Sequence, residues 1–131
     1  MGAIILPTLV RSSPMATPLA ERHCKGCKPG TPPLPREEID RLLEEVTGWD
    51  VEEADGHLRL SRIVKFKGFI PGVELINRIA PIAEAEGHHP DLLLSYGSLT
   101  IQLWTHAAGG LTENDFILAA HFDQAIPQSL N

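Results

Sequence analysis

Three histidines close together in the sequence are the residues best suited to chemistry. His88 and His89 are adjacent and precede Pro90, and His106 follows at the end of a run that alternates like a strand. Imidazole gives and takes a proton near neutral pH, with an unperturbed pKa of about 6.5, and it also binds metals. The three histidines therefore indicate either an acid/base site or a metal site.

The surrounding residues favour proton chemistry over a metal. Adjacent histidines at the end of a helix diverge in direction, and no second carboxylate or cysteine is placed to complete a catalytic zinc site. We therefore expect no metal at these histidines, and removal of divalent ions by a chelator should leave any activity intact.

A separate pair of cysteines, Cys24 and Cys27, forms a C-x-x-C sequence. A complete zinc site usually needs four ligands, and His23 is the one further candidate nearby. We interpret the pair as two reduced thiols in a mobile segment. A partial or intermolecular metal site and a redox pair remain open alternatives.

Composition limits the classes of protein to consider. The chain has 131 residues, of which 43% are hydrophobic and 21% charged, which suits one domain with a modest core. The formal charge of −6, without a cluster of basic residues, argues against direct nucleic-acid binding. The apolar stretches are too short to cross a bilayer, so we expect no membrane span.

The N-terminal part of the chain has the composition of a tail. Five prolines and no sustained hydrophobic period mark it, and we predict a flexible extension over residues 1–32. Residues 1–15 have an apolar patch, one arginine, two serines and no acid, which weakly resembles a transit peptide. We expect a cytoplasmic protein, with organelle targeting by this extension as the alternative.

Residues 33–131 contain the pattern of a folded domain. A first helix is predicted after Pro35, because apolar residues recur at helical spacing, with Gly48 as its stop; the residues are Ile39, Leu42, Leu43 and Val46. Two strands should follow, Trp49–Ala54 and Leu58–Phe66, joined by a tight turn at Asp55-Gly56.

A second helix is predicted from near Pro71 to Glu86, with a kink or local break at Pro81, which removes a backbone hydrogen bond. Two more strands, Leu92–Tyr96 and Leu99–Thr105, should turn at Gly97-Ser98.

The last helix has a well-marked start. Thr112 is the predicted N-cap, Asp115 the acid of a capping box, and Leu111 and Phe116 a hydrophobic staple. The predicted fold is α+β, in the order αββαββα, with a four-stranded antiparallel sheet and three helices packed on one face.

These residues together resemble the signature of the pterin-4a-carbinolamine dehydratase family, including its dimerisation-cofactor members. The resemblance spans roughly residues 33–124. It rests on the string Glu84-x-x-x-His88-His89-Pro90-Asp91, then Tyr96, then Thr105-His106-x-x-Gly109-Gly110-Leu111-Thr112-x-x-Asp115. It implies a sheet of four antiparallel strands with three helices, in agreement with the order above.

The resemblance also implies a reaction. Members of the family remove water from a 4a-hydroxytetrahydropterin, without a cofactor, to give a quinonoid dihydropterin and so support tetrahydrobiopterin recycling. A proton must reach the departing hydroxyl and another must leave the ring nitrogen N5, which positioned imidazoles can accomplish. We therefore expect a pterin as the small-molecule substrate.

Roles carried over from the family fall on matching residues. The catalytic set is His88 at the hydroxyl, His106 as the second proton carrier, His89 as the group that binds and orients the pterin, and Glu84 as an orienting acid for His88. The substrate-binding set adds Pro90, Asp91 and Asp115. Structural roles stay open beside these, since capping alone explains Asp115 and a solvated helix position alone explains Glu84.

An interaction module on the same fold is the alternative function. Some members of the family act as dimerisation cofactors or assembly factors, typically with an altered histidine set, whereas the set here is intact. An exposed edge strand makes a homodimer or homotetramer plausible.

Overall fold

The computed structural model describes residues 17–130, whose main elements follow the order helix, two strands, helix, two strands, helix. The helices are α1 (Arg36–Leu43), α2 (Ile70–Glu86) and α3 (Glu113–Ala125), and the strands are β1 (Asp50–Ala54), β2 (His57–Lys65), β3 (Asp91–Ser95) and β4 (Ser98–Leu103). Two short 3₁₀ helices lie outside this order, at Leu19–Glu21 and His106–Ala108. The predicted α+β order is confirmed.

The four strands form one sheet in the order β1-β2-β4-β3, and every neighbouring pair is antiparallel. The β1–β2 hairpin turns at Asp55 and Gly56, which have φ angles of 54° and 85°. Positive φ at both positions matches the twist of a tight hairpin, as the sequence predicts. The β3–β4 hairpin turns at Tyr96-Gly97, one residue before the predicted turn.

The core lies on one face of the sheet. The side chains of β2 and β4 that point to this face are buried; they are Leu60, Val64, Leu99, Ile101 and Leu103. On the opposite face Ile63 and Leu93 are exposed. The helices supply most of the rest of the core, with Phe116 and Phe122 of α3 among its largest fully buried side chains.

Two helices differ in detail from the sequence predictions. Helix α1 ends at Leu43 instead of continuing to Gly48, although Val46 beyond it is still buried. Helix α2 runs without a break through Pro81. It also lies close to the sheet, since a Cβ built on Gly72 would come within 2.6 Å of the Phe66 ring.

The N-terminal segment, residues 17–32, lies against helix α3. Buried residues follow one another without a gap from Asn114 to Ala120, so α3 needs cover on more than one side. Leu19 supplies part of that cover and is 2% exposed. Composition predicts a flexible extension over residues 1–32, but burial of Leu19 ties this part of it to the domain.

The stretch that resembles a transit peptide, residues 1–15, lies outside the described residues, and the domain boundary at residue 33 stays a prediction. None of the helices within residues 17–130 combines the length and apolarity needed to cross a membrane.

Candidate active site

His88 is placed by the reversal of the chain at the end of helix α2. Gly87 has φ 65° and ψ 25°, the left-handed conformation that glycine adopts without a Cβ clash. The His88 amide donates back to the carbonyl of Ala83 at 3.3 Å. After this turn the His88 ring points inward, and its Nε2 donates to Oδ1 of Asp115 at 2.6 Å.

Asp115 is held by a hydrogen-bond network at the start of helix α3. Its Oδ2 accepts from the Thr112 amide at 2.9 Å and from the Thr105 hydroxyl at 2.8 Å. The Thr112 side chain accepts from the Asp115 backbone, which completes the predicted capping box. One carboxylate therefore begins the helix and fixes the orientation of His88.

The burial of Asp115 bears on its predicted role as a substrate ligand, which stays a prediction. Its side chain has no exposed surface, and both of its oxygens already accept hydrogen bonds from protein groups. Asp115 therefore does not line the cavity, but it contacts His88, which does.

Glu84 contacts a different histidine from the one predicted. The spacing to His88 predicts a contact one helical turn away, but the reversal at Gly87 removes His88 from the helix. Instead, Oε1 of Glu84 lies 2.9 Å from Nε2 of His89. Both side chains are exposed, so this is a surface pair at the edge of the site.

His106 lies in a stack of three rings. It begins the 3₁₀ helix after β4, and its ring centroid is 3.8 Å from that of Trp104. His57 covers Trp104 as well, at 3.6 Å with the planes 18° apart. Contact with the indole limits the rotation of His106 and leaves its other face free for a ligand.

The three predicted histidines line one cavity of about 540 Å³. Pro90 and Asp91 line it too, whereas Glu84 and Asp115 are not among the lining residues. A volume of this size falls in the usual range for small-molecule pockets, about 300–1,000 Å³. The cavity can therefore accept a bicyclic ligand beside three imidazoles.

Several lining residues could not be found from the motif. Trp104 lines the cavity and lies two residues before His106 in the sequence. This proximity to a predicted site residue could have indicated its place in the site. Lys25 and Cys27 belong to the N-terminal segment and line the same cavity. Asn114 fixes this segment, since its amide group accepts from the Lys25 amide at 3.0 Å and donates to the Lys25 carbonyl at 2.5 Å.

The two cysteines are free thiols beside this site. Burial raises the pKa of the Cys24 thiol to about 12, and the nearby Glu86 carboxylate adds to the rise. A thiol with so high a pKa is protonated at neutral pH and is a poor nucleophile.

Glu86, at the end of α2, links the segment to the helices. Its Oε1 accepts from the Cys24 amide at 2.7 Å, and its Oε2 lies 2.8 Å from Nδ1 of His23. Burial acts to raise the pKa of Glu86, but the hydrogen bonds from Cys24 and His23 outweigh it and hold the pKa below its ordinary value.

Comparison with known proteins identifies the family. The family model described as "Pterin 4 alpha carbinolamine dehydratase" matches residues 32–125. A relative from Rickettsia canadensis (strain McKiel), named "Putative pterin-4-alpha-carbinolamine dehydratase", is 47% identical over 111 residues, which cover 84% of this chain and 99% of that protein. A relative of the same name from Rickettsia bellii (strain OSU 85-389) is 47% identical over 106 residues, which cover 80% and 91%.

A solved structure agrees with this result. The crystal structure of a protein described as a transcriptional coactivator/pterin dehydratase, from Brucella melitensis, superposes with a TM-score of 0.65 at 28% identity. The match covers 72% of this chain and 99% of that one. On sequence, relatives and fold, the chain belongs to the pterin-4-alpha-carbinolamine dehydratase family.

Proposed function

We propose that this protein catalyses the loss of water from a 4a-hydroxytetrahydropterin, with His88 and His106 as the proton carriers. The observation that carries the proposal is the His88–Asp115 contact of 2.6 Å at the wall of a cavity that His106 also lines. A buried carboxylate that orients an imidazole toward a cavity is the arrangement expected for acid/base catalysis.

His88 serves the departing hydroxyl. Because Nε2 donates to Asp115, Nδ1 is the ring nitrogen available for proton transfer to the substrate. In its protonated form His88 gives a proton to the 4a-hydroxyl as the C4a–O bond breaks and water leaves. The ring then holds one proton fewer and recovers it from solvent.

His106 serves the other half of the elimination. As neutral imidazole it takes the proton from N5, and the electron pair of that N–H bond becomes the second bond between N5 and C4a. The substrate gains one proton at the hydroxyl and loses one from N5, so the reaction involves no net oxidation or reduction and needs no cofactor. The contact with Trp104 limits the rotation of the ring during this transfer.

The remaining site residues bind the substrate or position the catalytic histidines. His89, with Pro90 and Asp91, lines the cavity mouth and orients the pterin, while Glu84 steadies His89 by the 2.9 Å contact. Asp115 is a positioning residue for His88.

A direct rate measurement tests the proposal. The carbinolamine is generated chemically and its dehydration followed by absorbance against the spontaneous rate, with wild type and with His88→Ala, His89→Ala and His106→Ala. We expect the wild type to accelerate the reaction, His88→Ala and His106→Ala to lose most of kcat, and His89→Ala chiefly to raise KM. Equal rates with and without the wild-type protein would contradict the proposal.

A second candidate is a dimerisation or coactivator role, since the Brucella melitensis protein is described as a transcriptional coactivator as well as a pterin dehydratase. The outer face of the sheet favours it here, since Ile63 and Leu93 are exposed apolar side chains on that face. Light scattering on the wild type and on Leu93→Lys tests assembly through this face. A homodimer or homotetramer in the wild type that dissociates in the variant supports it, and a monomer in both contradicts it.

A further inference from the structure

We propose that His23, Glu86 and His121 form a binding site for one Zn²⁺ ion that clamps the N-terminal segment to helices α2 and α3. Each of the three offers one ligand atom, and these atoms lie within 4.8 Å of one another. The site is distinct from the three histidines of the cavity, and His23 precedes the residues matched by the family model.

The distances require little movement for a metal to bind. Zinc bonds to nitrogen and carboxylate oxygen of about 2.0–2.2 Å place tetrahedral ligands roughly 3.4 Å apart. The most widely separated pair must therefore approach by at most about 1.4 Å, taking 4.8 Å as the widest separation, and His23 Nδ1 and Glu86 Oε2, now 2.8 Å apart, must separate by about 0.6 Å. His23 is the most exposed of the three and can make most of this adjustment by rotating its side chain.

Two of the three ligands, Glu86 and His121, have backbone hydrogen-bond partners of the kind that orient metal ligands. Glu86 uses Oε1 to accept from the Cys24 amide, so Oε2 is the oxygen directed at His23. Nε2 of His121 donates to the carbonyl of Arg22 at 2.8 Å, which leaves the lone pair of a neutral ring on Nδ1. Backbone partners of this kind hold metal ligands in place and set the histidine tautomer.

The ligand types select zinc over the common hard cations. Two imidazoles and one carboxylate suit Zn²⁺, with a fourth position left for water, whereas Ca²⁺ and Mg²⁺ prefer oxygen ligands throughout. Because the ligands come from three separate parts of the chain, bound zinc would fix the segment that contributes Lys25 and Cys27 to the cavity wall.

Zinc binding to untagged protein tests the site. The protein is stripped with a chelator, desalted and titrated with Zn²⁺ by calorimetry, and Co²⁺ is used as an absorbing substitute. We expect one ion per chain in the wild type and at least a 100-fold loss of affinity in His23→Ala and His121→Ala, beyond the roughly 10- to 100-fold cost of removing an outer partner. Glu86→Gln keeps an acceptor for the Cys24 amide and should lose affinity while remaining folded.

Matched controls separate this site from the others. His89→Ala and His106→Ala should bind zinc as tightly as the wild type, and so should the double variant Cys24→Ser/Cys27→Ser. Equal affinity in wild type and His121→Ala, or loss of binding only in the cysteine double variant, would overturn the proposal. So would the absence of any micromolar binding by the wild type.

A second measurement reports on the clamp and does not depend on enzymatic activity. Trypsin can cut after Arg22 and after Lys25 in the N-terminal segment. We expect zinc to slow these cuts several-fold in the wild type and to have no effect in His121→Ala. Equal protection in both proteins would contradict the clamp.

Discussion

Helix α3 carries a carboxylate near each end, Asp115 fully buried and Asp123 partly buried, and the two have different partners. Asp115 in the first turn contacts His88, which lines the cavity. Asp123 near the last turn accepts from Arg62 at 2.6 Å and from the Trp49 indole at 2.7 Å. Arginine stays charged at any physiological pH, whereas histidine can change its charge. Under the proposed function, Asp115 supports both the chemistry and the start of the helix, whereas Asp123 supports stability alone.

The largest expected effect is on the catalytic side. His88→Ala should lower kcat by about 10²- to 10⁴-fold, because it removes the acid that assists the departing hydroxyl. Asp123→Asn, the control at the other end of α3, should keep the wild-type rate in the folded protein. The check is the carbinolamine absorbance assay below the unfolding temperature. A wild-type rate in His88→Ala would mean that the start of α3, with Asp115 and His88, contributes no more to catalysis than the end with Asp123.

The next effect is on stability. Arg62→Leu should lower the free energy of unfolding by about 1–3 kcal/mol, because it leaves the partly buried Asp123 without its cation. Arg62→Lys, which keeps the charge, should cost less. Urea denaturation measures both variants. A loss below about 1 kcal/mol in Arg62→Leu would mean that the ion pair does not stabilise this end of the helix.

Asp115→Asn should affect both properties, and so tests whether one carboxylate serves both. We expect kcat to fall by about 10- to 100-fold with little change in KM, since the amide no longer fixes the His88 tautomer. The weaker cap should cost about 0.5–2 kcal/mol of stability. Rate and denaturation measurements on one sample test this, and loss of stability with an unchanged rate would assign Asp115 to capping alone.

The smallest expected effect is on the pH dependence of stability, in which Glu86 and Asp123 should contribute with opposite signs. The pKa of Glu86 is lowered in the folded protein, so its contribution is present above its ordinary pKa and is lost as pH falls through the lowered value. Burial raises the pKa of Asp123, although Arg62 acts to lower it. The contribution of Asp123 to the free energy of unfolding is therefore largest at low pH and weakens as pH rises through the raised pKa.

Denaturation of Glu86→Gln and Asp123→Asn from pH 3 to pH 7 tests these signs. The stability deficit of Glu86→Gln relative to the wild type should shrink as pH falls. A deficit that grows toward low pH would contradict the assigned direction.

Local patterns were enough to predict much of the fold. The Asp55-Gly56 hairpin and the Thr112–Asp115 capping box each depend on residues a few positions apart, and both are present. Alternation along β4 likewise predicted which of its side chains are buried. These features follow from the backbone geometry of single elements.

Contacts between distant elements could not be read from spacing. The turn at Gly87 directs His88 to Asp115 and leaves Glu84 to His89, so a helical spacing rule selected the wrong pair. The place of Lys25 in the cavity wall depends on how the N-terminal segment packs against α3, which its proline-rich composition does not indicate.

The ring stack of His57, Trp104 and His106 also gives the protein a built-in optical reporter. The chain has two tryptophans, and they stand at the two places contrasted above: Trp49 donates to Asp123, and Trp104 lies between two imidazoles at the cavity. In a Trp49→Phe variant the remaining tryptophan fluorescence comes from Trp104 alone. Its intensity should then follow ligand entry and the protonation of the neighbouring rings, so occupancy of the cavity can be measured without a labelled ligand.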